Sequence, residues 1–139
     1  MNAVDTNILV YSIDRQEPVK RSKARDLLRQ LRSTPGGTLL LWQVAGEFTR
    51  YLRTCEDQGQ LSRSATLRYL ALFRHHFPLA IPTAQVLDRA LDLSARFPLS
   101  HWDSMLIAAC QEAQVDTLYT EDMGSPTTFD GVKLVNPFV

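Results

Sequence analysis

Short apolar segments alternate with longer stretches of helical period along this chain, and that alternation constrains the fold more than any other feature. A parallel crossover needs a connection of about a dozen residues, usually a helix, so this order favours a mainly parallel sheet covered on both faces. The strand candidates are residues 1–4, 38–41, 79–81, 116–120 and 133–135. Pro18 sits where a first helical turn begins, and Val19, Ala24, Leu27, Leu28 and Leu31 follow at helical spacing up to the breaker Ser33-Thr34-Pro35-Gly36-Gly37. Val44, Phe48, Tyr51, Leu52 and Cys55 form a second stripe that ends near Gly59. Ser62 can cap a third helix carrying Leu67, Leu70, Ala71 and Phe73, which stops before Pro78. Thr83 can cap a fourth, with Val86, Leu87, Ala90, Leu91 and Phe97 inward, and Ser100 opens a fifth around Met105, Leu106, Ala108, Ala109 and Cys110. The expectation is an α/β fold, one domain over residues 1–139, with a central sheet of about five strands between helical layers.

Composition narrows the class. The chain has 139 residues, 45% of them hydrophobic, which suits one core and excludes overall disorder. No apolar run approaches the roughly 18 residues of a membrane-spanning helix. The first residues lack a basic start followed by an apolar stretch, so no secretory signal is expected. Cys55 and Cys110 are too few for a disulfide framework, and a reducing cytoplasm is the expected location, with no membrane partner. Fifteen basic and fifteen acidic residues cancel, yet the cancellation is uneven. Residues 14–32 carry +4 and residues 47–76 carry +2, while residues 100–139 carry −5. Two readings stand: solvated helix faces that differ by accident, or a polyanion-contact surface beside an acidic site.

In parallel α/β sheets, ligands sit outside the carboxyl ends of the strands. Asp5 follows the first strand and Asp122 follows the strand ending at Thr120. Asp103 lies in the first turn of the fifth helix, and Glu47 about one turn into the helix after the second strand. Four carboxylates from distant segments can therefore converge at one sheet edge, where they repel and raise one another's pKa unless a cation neutralises them. An all-oxygen ligand set suits Mg²⁺ or Mn²⁺, which activate water and stabilise a phosphodiester in flight. His75, His76, His101 and the two cysteines show no paired spacing for a softer metal. Each acid also has a plain explanation. Ser100-x-x-Asp103 matches a capping box, Glu47 can pair with Arg50 or Tyr51, and Glu121-Asp122 can be an ordinary turn. Asp5 is harder to dismiss, since Asp5-Thr6-Asn7 interrupts an otherwise apolar run where burial of polar groups is costly.

These residues carry a family resemblance. Val4-Asp5-Thr6-Asn7-Ile8-Leu9-Val10-Tyr11 resembles the opening motif of PIN-domain nucleases, and His101-Trp102-Asp103-Ser104-Met105-Leu106-Ile107-Ala108-Ala109 resembles their central helix. Leu118-Tyr119-Thr120-Glu121-Asp122 resembles their last acidic turn, and Gly131-Val132-Lys133-Leu134-Val135-Asn136-Pro137-Phe138 their closing strand. Order and spacing match over nearly the whole chain, and the size is similar to stand-alone toxins of VapBC-type toxin–antitoxin pairs. The resemblance implies a PIN-like α/β/α sandwich and an Mg²⁺- or Mn²⁺-dependent endoribonuclease with Asp5, Glu47, Asp103 and Asp122 as its acidic cluster. Asp5 and Asp103 would be the principal metal ligands, with Asp122 and Glu47 binding a second ion or orienting the hydrolytic water. Thr6 and Asn7 would help hold the first acid, and Thr120 occupies a supporting hydroxyl position. The products implied are a 5′-phosphate and a 3′-hydroxyl. The chain departs from the pattern at Gly124-Ser125-Pro126-Thr127-Thr128, where relatives often carry a further acid, so a fifth ligand is not expected.

An acidic pocket needs counter-charges at its rim to bind RNA, and Arg15, Arg21, Arg50 and Arg53 are the candidates, with Trp42, Tyr51 and Trp102 as core residues or stacking surfaces. The resemblance implies single-stranded or loop RNA, a homodimer, and a cognate VapB-like antitoxin that inserts an Arg-bearing or apolar peptide towards the acids. The helices at 18–31 and 62–73 offer the apolar docking surfaces. Three alternatives are weighed against this. A solitary RNA-processing nuclease has no antitoxin, and a non-catalytic binding module does not need all four acids. A haloacid-dehalogenase-type phosphatase needs a second Asp two residues after the first, where Asn7 stands.

Overall fold

The computed structural model describes residues 1–124 and 127–139. Among the described residues six strands and six helices follow in the order β1 (Asn2–Val4), α1 (Thr6–Tyr11), α2 (Pro18–Arg32), β2 (Thr38–Leu41), α3 (Trp42–Asp57), α4 (Arg63–His76), β3 (Leu79–Ala80), α5 (Gln85–Arg96), α6 (His101–Glu112), β4 (Thr117–Tyr119), β5 (Thr128–Phe129) and β6 (Val132–Val135). The sheet order is β3-β2-β1-β4-β6-β5. All pairings are parallel except β5 with β6, which is antiparallel. The mainly parallel α/β architecture expected from the alternation is therefore present, with one strand more than anticipated.

The chain runs outward from β1 through β2 to β3, then returns to the other side of β1 with β4. The strand order thus reverses between β1 and β4, which is where a doubly wound sheet opens a crevice at its carboxyl edge. The residues leaving these two strands are Asp5 and Thr120, and Asp5 N donates to the Tyr119 carbonyl at 2.8 Å. Beneath that edge lies a core built from Ala3, Val4, Leu40, Leu41 and Leu118 of the sheet, with Phe48 and Leu52 of α3 and Leu106 and Ile107 of α6.

Several local readings hold and several change. Pro18 starts α2, Ser62 Oγ accepts from Ala65 N, and Ser100 Oγ accepts from Asp103 N, as their N-cap positions require. The polar break at Asp5 begins a helix, α1, because Asp5 Oδ1 accepts the Thr6 N–H at 2.7 Å and caps it. Thr83 stands one residue outside the cap of α5. Its hydroxyl oxygen accepts from Gln85 N at 3.3 Å and it also bonds the Glu112 carboxylate. On α5 the buried stripe is Val86, Ala90 and Leu93, while Leu87 and Leu91 are exposed. On α4 Phe73 is buried as expected, but Leu67 and Ala71 face solvent. The two-residue β5 was not anticipated. The Gly124–Thr128 stretch that lacks a further acid falls partly on residues 125 and 126, outside the described residues.

Candidate active site

The carboxyl edge of β1 and β4 assembles the site from three consecutive residues. Asp5 is buried, at 8% exposure, and both its oxygens are engaged. Oδ1 accepts from Thr6 N at 2.7 Å and Oδ2 accepts from the Thr120 hydroxyl at 2.8 Å. The Thr6 hydroxyl donates to Glu47 Oε2 at 2.9 Å, and Asn7 Nδ2 donates to Asp122 Oδ2 at 3.1 Å. Asp5, Thr6 and Asn7 therefore each take charge of a different carboxylate. The side chains of Thr6 and Asn7 hold the second and third acids, which corrects the expectation that they serve the first. Only the Thr6 backbone serves Asp5. Thr120 supports Asp5 as expected, and its oxygen also accepts from Asp122 N at 3.1 Å, closing the turn after β4.

Glu47 is held from its own helix as well. Gln43, one turn earlier on α3, donates through Nε2 to Glu47 Oε1 at 3.1 Å and to the Trp102 carbonyl at 3.2 Å. The partners of Glu47 are thus Thr6 and Gln43, in place of the Arg50 or Tyr51 pairing considered from sequence. Gln43 escaped the sequence reading although its i,i+4 spacing to Glu47 was a usable signal. Asp103 stands apart from this network. Its N–H bonds Ser100 Oγ at 3.1 Å, and its connection to the acids runs through the neighbouring Trp102 carbonyl and Gln43.

Electrostatics reflects the crowding. Burial is the main cause that pushes the Asp5 carboxyl up to about 6, and the facing charges of Asp122 and Glu47 push the same way against the bonds from Thr120 and Thr6. Next to Asp122, burial disfavours the Glu121 carboxylate, but bonds from Tyr11 and Lys20 prevail and hold its pKa below the usual range. Tyr11 Oη donates to Glu121 at 2.6 Å, and Lys20 Nζ bonds Glu121 at 3.0 Å and lies 4.7 Å from the Tyr11 ring centre. This cluster of α1, α2 and the acidic turn was not read from sequence, because its members are far apart in the chain.

The donor set fits a hard divalent cation. All the candidate ligands are oxygens, two carboxylates face a third that is buried, and Asn7 Oδ1 is a buried acceptor without a partner. Among the described residues no three His, Cys, Asp or Glu side chains converge closely enough to hold an ion by themselves.

A groove of about 680 Å³ leads away from the acids along α3, lined by Thr6, Gln43, Gly46, Glu47, Arg50, Tyr51 and Trp102 among others. Arg50 is therefore at the site, while Arg53 is exposed farther along α3 and Arg15 is exposed in the connection before α2. Arg21 is half-buried on α2 with its Nε unpartnered. Trp42 and Trp102 are 55% and 62% exposed, so they are surface residues and not core, whereas Tyr51 is half-buried against Phe48.

The family model for the PIN domain matches residues 3–124. No curated protein matches the sequence. Among solved structures, a toxin–antitoxin complex from Klebsiella pneumoniae superposes with a TM-score of 0.66 at 19% identity, covering 99% of this chain and 98% of that one. A structure of VapBC2 from Rickettsia felis, bound to a DNA fragment from their promoter, gives 0.71 at 14% identity, with 97% of each chain covered. At these identities the likeness is one of fold.

Proposed function

We propose, from the premise that this chain belongs to the PIN-domain family, that it is an Mg²⁺- or Mn²⁺-dependent endoribonuclease and the toxin of a VapBC-type pair. One observation carries the reading: carboxylates from β1, α3 and the turn after β4 meet at the switch point of the sheet, with the innermost buried and crowded by the other two. Buried like charges are unfavourable unless a cation belongs there. Asp5 and Asp122 would hold the ion, and Asp103 would have to close on it from α6 to serve as the third ligand; when bound, the ion supplies positive charge to a phosphodiester and acidity to a water. Around it the chain's own groups fix geometry. Thr120 and Thr6 orient Asp5, Asn7 orients Asp122, and Thr6 with Gln43 turns Glu47 towards the groove, where it can orient an attacking water. Attack on the phosphorus with release of the 3′ oxygen leaves a 5′-phosphate and a 3′-hydroxyl.

The fold likeness to toxin–antitoxin complexes supports a VapB-like antitoxin partner. The groove between α2 and α4, floored by Leu28, Leu72 and Phe73 and edged by Arg25, Arg29 and Arg32, is a suitable seat for it. Exposed Ile81, Leu87 and Leu91 offer a face for a homodimer. The test is cleavage of RNA by the purified protein with Mg²⁺, with Mn²⁺ and with EDTA, alongside Asp5→Asn. Metal-dependent cleavage that Asp5→Asn abolishes is expected. Cleavage in EDTA, or full activity in the variant, overturns the mechanism, and a neighbouring reading frame without an antitoxin favours a solitary RNA-processing enzyme.

A further inference from the structure

We infer that the groove along α3 is the track of an unpaired RNA strand, whose backbone crosses Gly46, whose phosphate meets Arg50 and whose base stacks on Trp102. This rests on the nuclease reading above and adds a binding subsite to it. Gly46 lies inside α3, where glycine is the least favourable residue apart from proline. Nothing in the chain explains it, since a Cβ built there meets no atom within 4 Å. What a methyl would fill is the groove itself, one residue from Glu47. A glycine with open space above it and a candidate catalytic acid beside it is a place where a ligand's backbone can approach closely.

The other two contacts follow from position. Arg50 is four residues from Gly46, so it rises from the same face of the helix, and among the described residues no carboxylate lies within ion-pair distance of it. It is a free cation beside an acidic pocket, which complements a phosphate next to the one being cut. Trp102 keeps 62% of its surface exposed on the first turn of α6, and the Gln43 bond to its carbonyl ties it to Glu47. With its main chain anchored beside the acids, the exposed indole can stack on a base only if that base has left its neighbours. A duplex, in which both faces of each base are covered, is excluded from that contact. The rival occupant is protein, because the apolar surface continues past Trp102 to Trp42, Ile81 and Leu87.

Gly46→Ala separates structure from ligand. It should raise the midpoint of thermal unfolding by a few degrees, as alanine is the better helix former, while weakening binding of a fluorescein-labelled, unstructured RNA at least about fivefold. Trp102→Ala should weaken the same RNA about tenfold and leave its annealed duplex unchanged, with Trp102→Phe close to the parent. Binding is read by anisotropy in EDTA and cleavage separately with Mg²⁺. If the parent cleaves with metal but both variants bind and cleave as it does, the track is wrong and the nuclease reading stands. A parent that neither binds nor cleaves RNA sinks both. If Trp102→Ala weakens single strand and duplex alike and converts a dimer to a monomer, the surface belongs to a second copy and the inference fails.

Discussion

Removing the charge of Asp5 should stabilise the metal-free protein while destroying its activity. The folded protein binds a proton at Asp5 with a pKa of about 6, above the ordinary 3.8 of an unfolded chain. The favourable contribution of the neutral form is therefore present below pH 3.8 and lost as pH rises through 6. The gap, at about 1.4 kcal/mol for each tenfold in proton affinity, amounts to about 3 kcal/mol of destabilisation at pH 8. That figure already includes the opposing bonds from Thr120 and Thr6, and the amide oxygen of Asn can still accept from one of them. Asp5→Asn should thus be more stable than the parent by up to about 3 kcal/mol at pH 8 in EDTA, roughly 10 °C in melting temperature. Below about pH 4 the difference should vanish, because the parent is then neutral too. Mg²⁺ should raise the midpoint of the parent and leave the variant unmoved, since only a native state with ligands gains by mass action. Differential scanning calorimetry at several pH values checks all three statements. A variant that is less stable than the parent at pH 8, or a difference that does not change with pH, refutes the account of Asp5 as a strained buried charge.

Other consequences can be tested in parallel. Thr6→Val removes the bond to Glu47 and keeps the shape, so metal-dependent cleavage should fall about tenfold while the melting temperature moves little; an unchanged rate dissociates Glu47 from the reaction. Arg50→Gln with Arg53→Gln should weaken RNA binding and reduce the slope of log affinity against log salt by about 2, measured by anisotropy between low and moderate salt. Leu118→Ala, fully buried on the strand between β1 and β6, should cost about 3 kcal/mol in chemical denaturation without altering the site's residues. Tyr11→Phe deletes the 2.6 Å bond to Glu121 and should loosen the acidic turn, seen as faster amide exchange at Asp122 with the global midpoint little changed.

Much of this was legible in the sequence because strands and helices alternate at distinct periods, and a parallel sheet sends chemistry to its carboxyl edge. Asp5, Glu47, Asp103 and Asp122 could be placed near one another on that ground, with Thr120 added by the family resemblance; the hydrogen-bond network joins three of these acids and leaves Asp103 apart. Which atom holds which was not legible. Thr6 and Asn7 are neighbours of Asp5 in the chain, yet the first helical turn rotates their side chains towards Glu47 and Asp122. The helix responsible, α1, has six residues, too few for a period to declare itself. Burial on α5 failed for a related reason. Leu87 and Leu91 lie at helical spacing with the core stripe, but whether they are covered depends on what the rest of the chain brings to that side, which periodicity does not encode. The zero net charge excluded little, since it sums an acidic edge and basic helices, and the fold sets Lys20 and Arg50 of those helices beside the acids.

The joining of Asp5 to Thr120 and of Asn7 to Asp122 has a consequence in time. Each bond spans 115 positions, so Asp5 and Asn7 wait for Thr120 and Asp122 to be made before the acids are oriented. A nascent chain that has reached α6 lacks β4, hence the strand beside β1 and the hydroxyl that steadies Asp5. Synthesis itself therefore acts as a safety catch: while those 115 positions are being added, the candidate site does not exist.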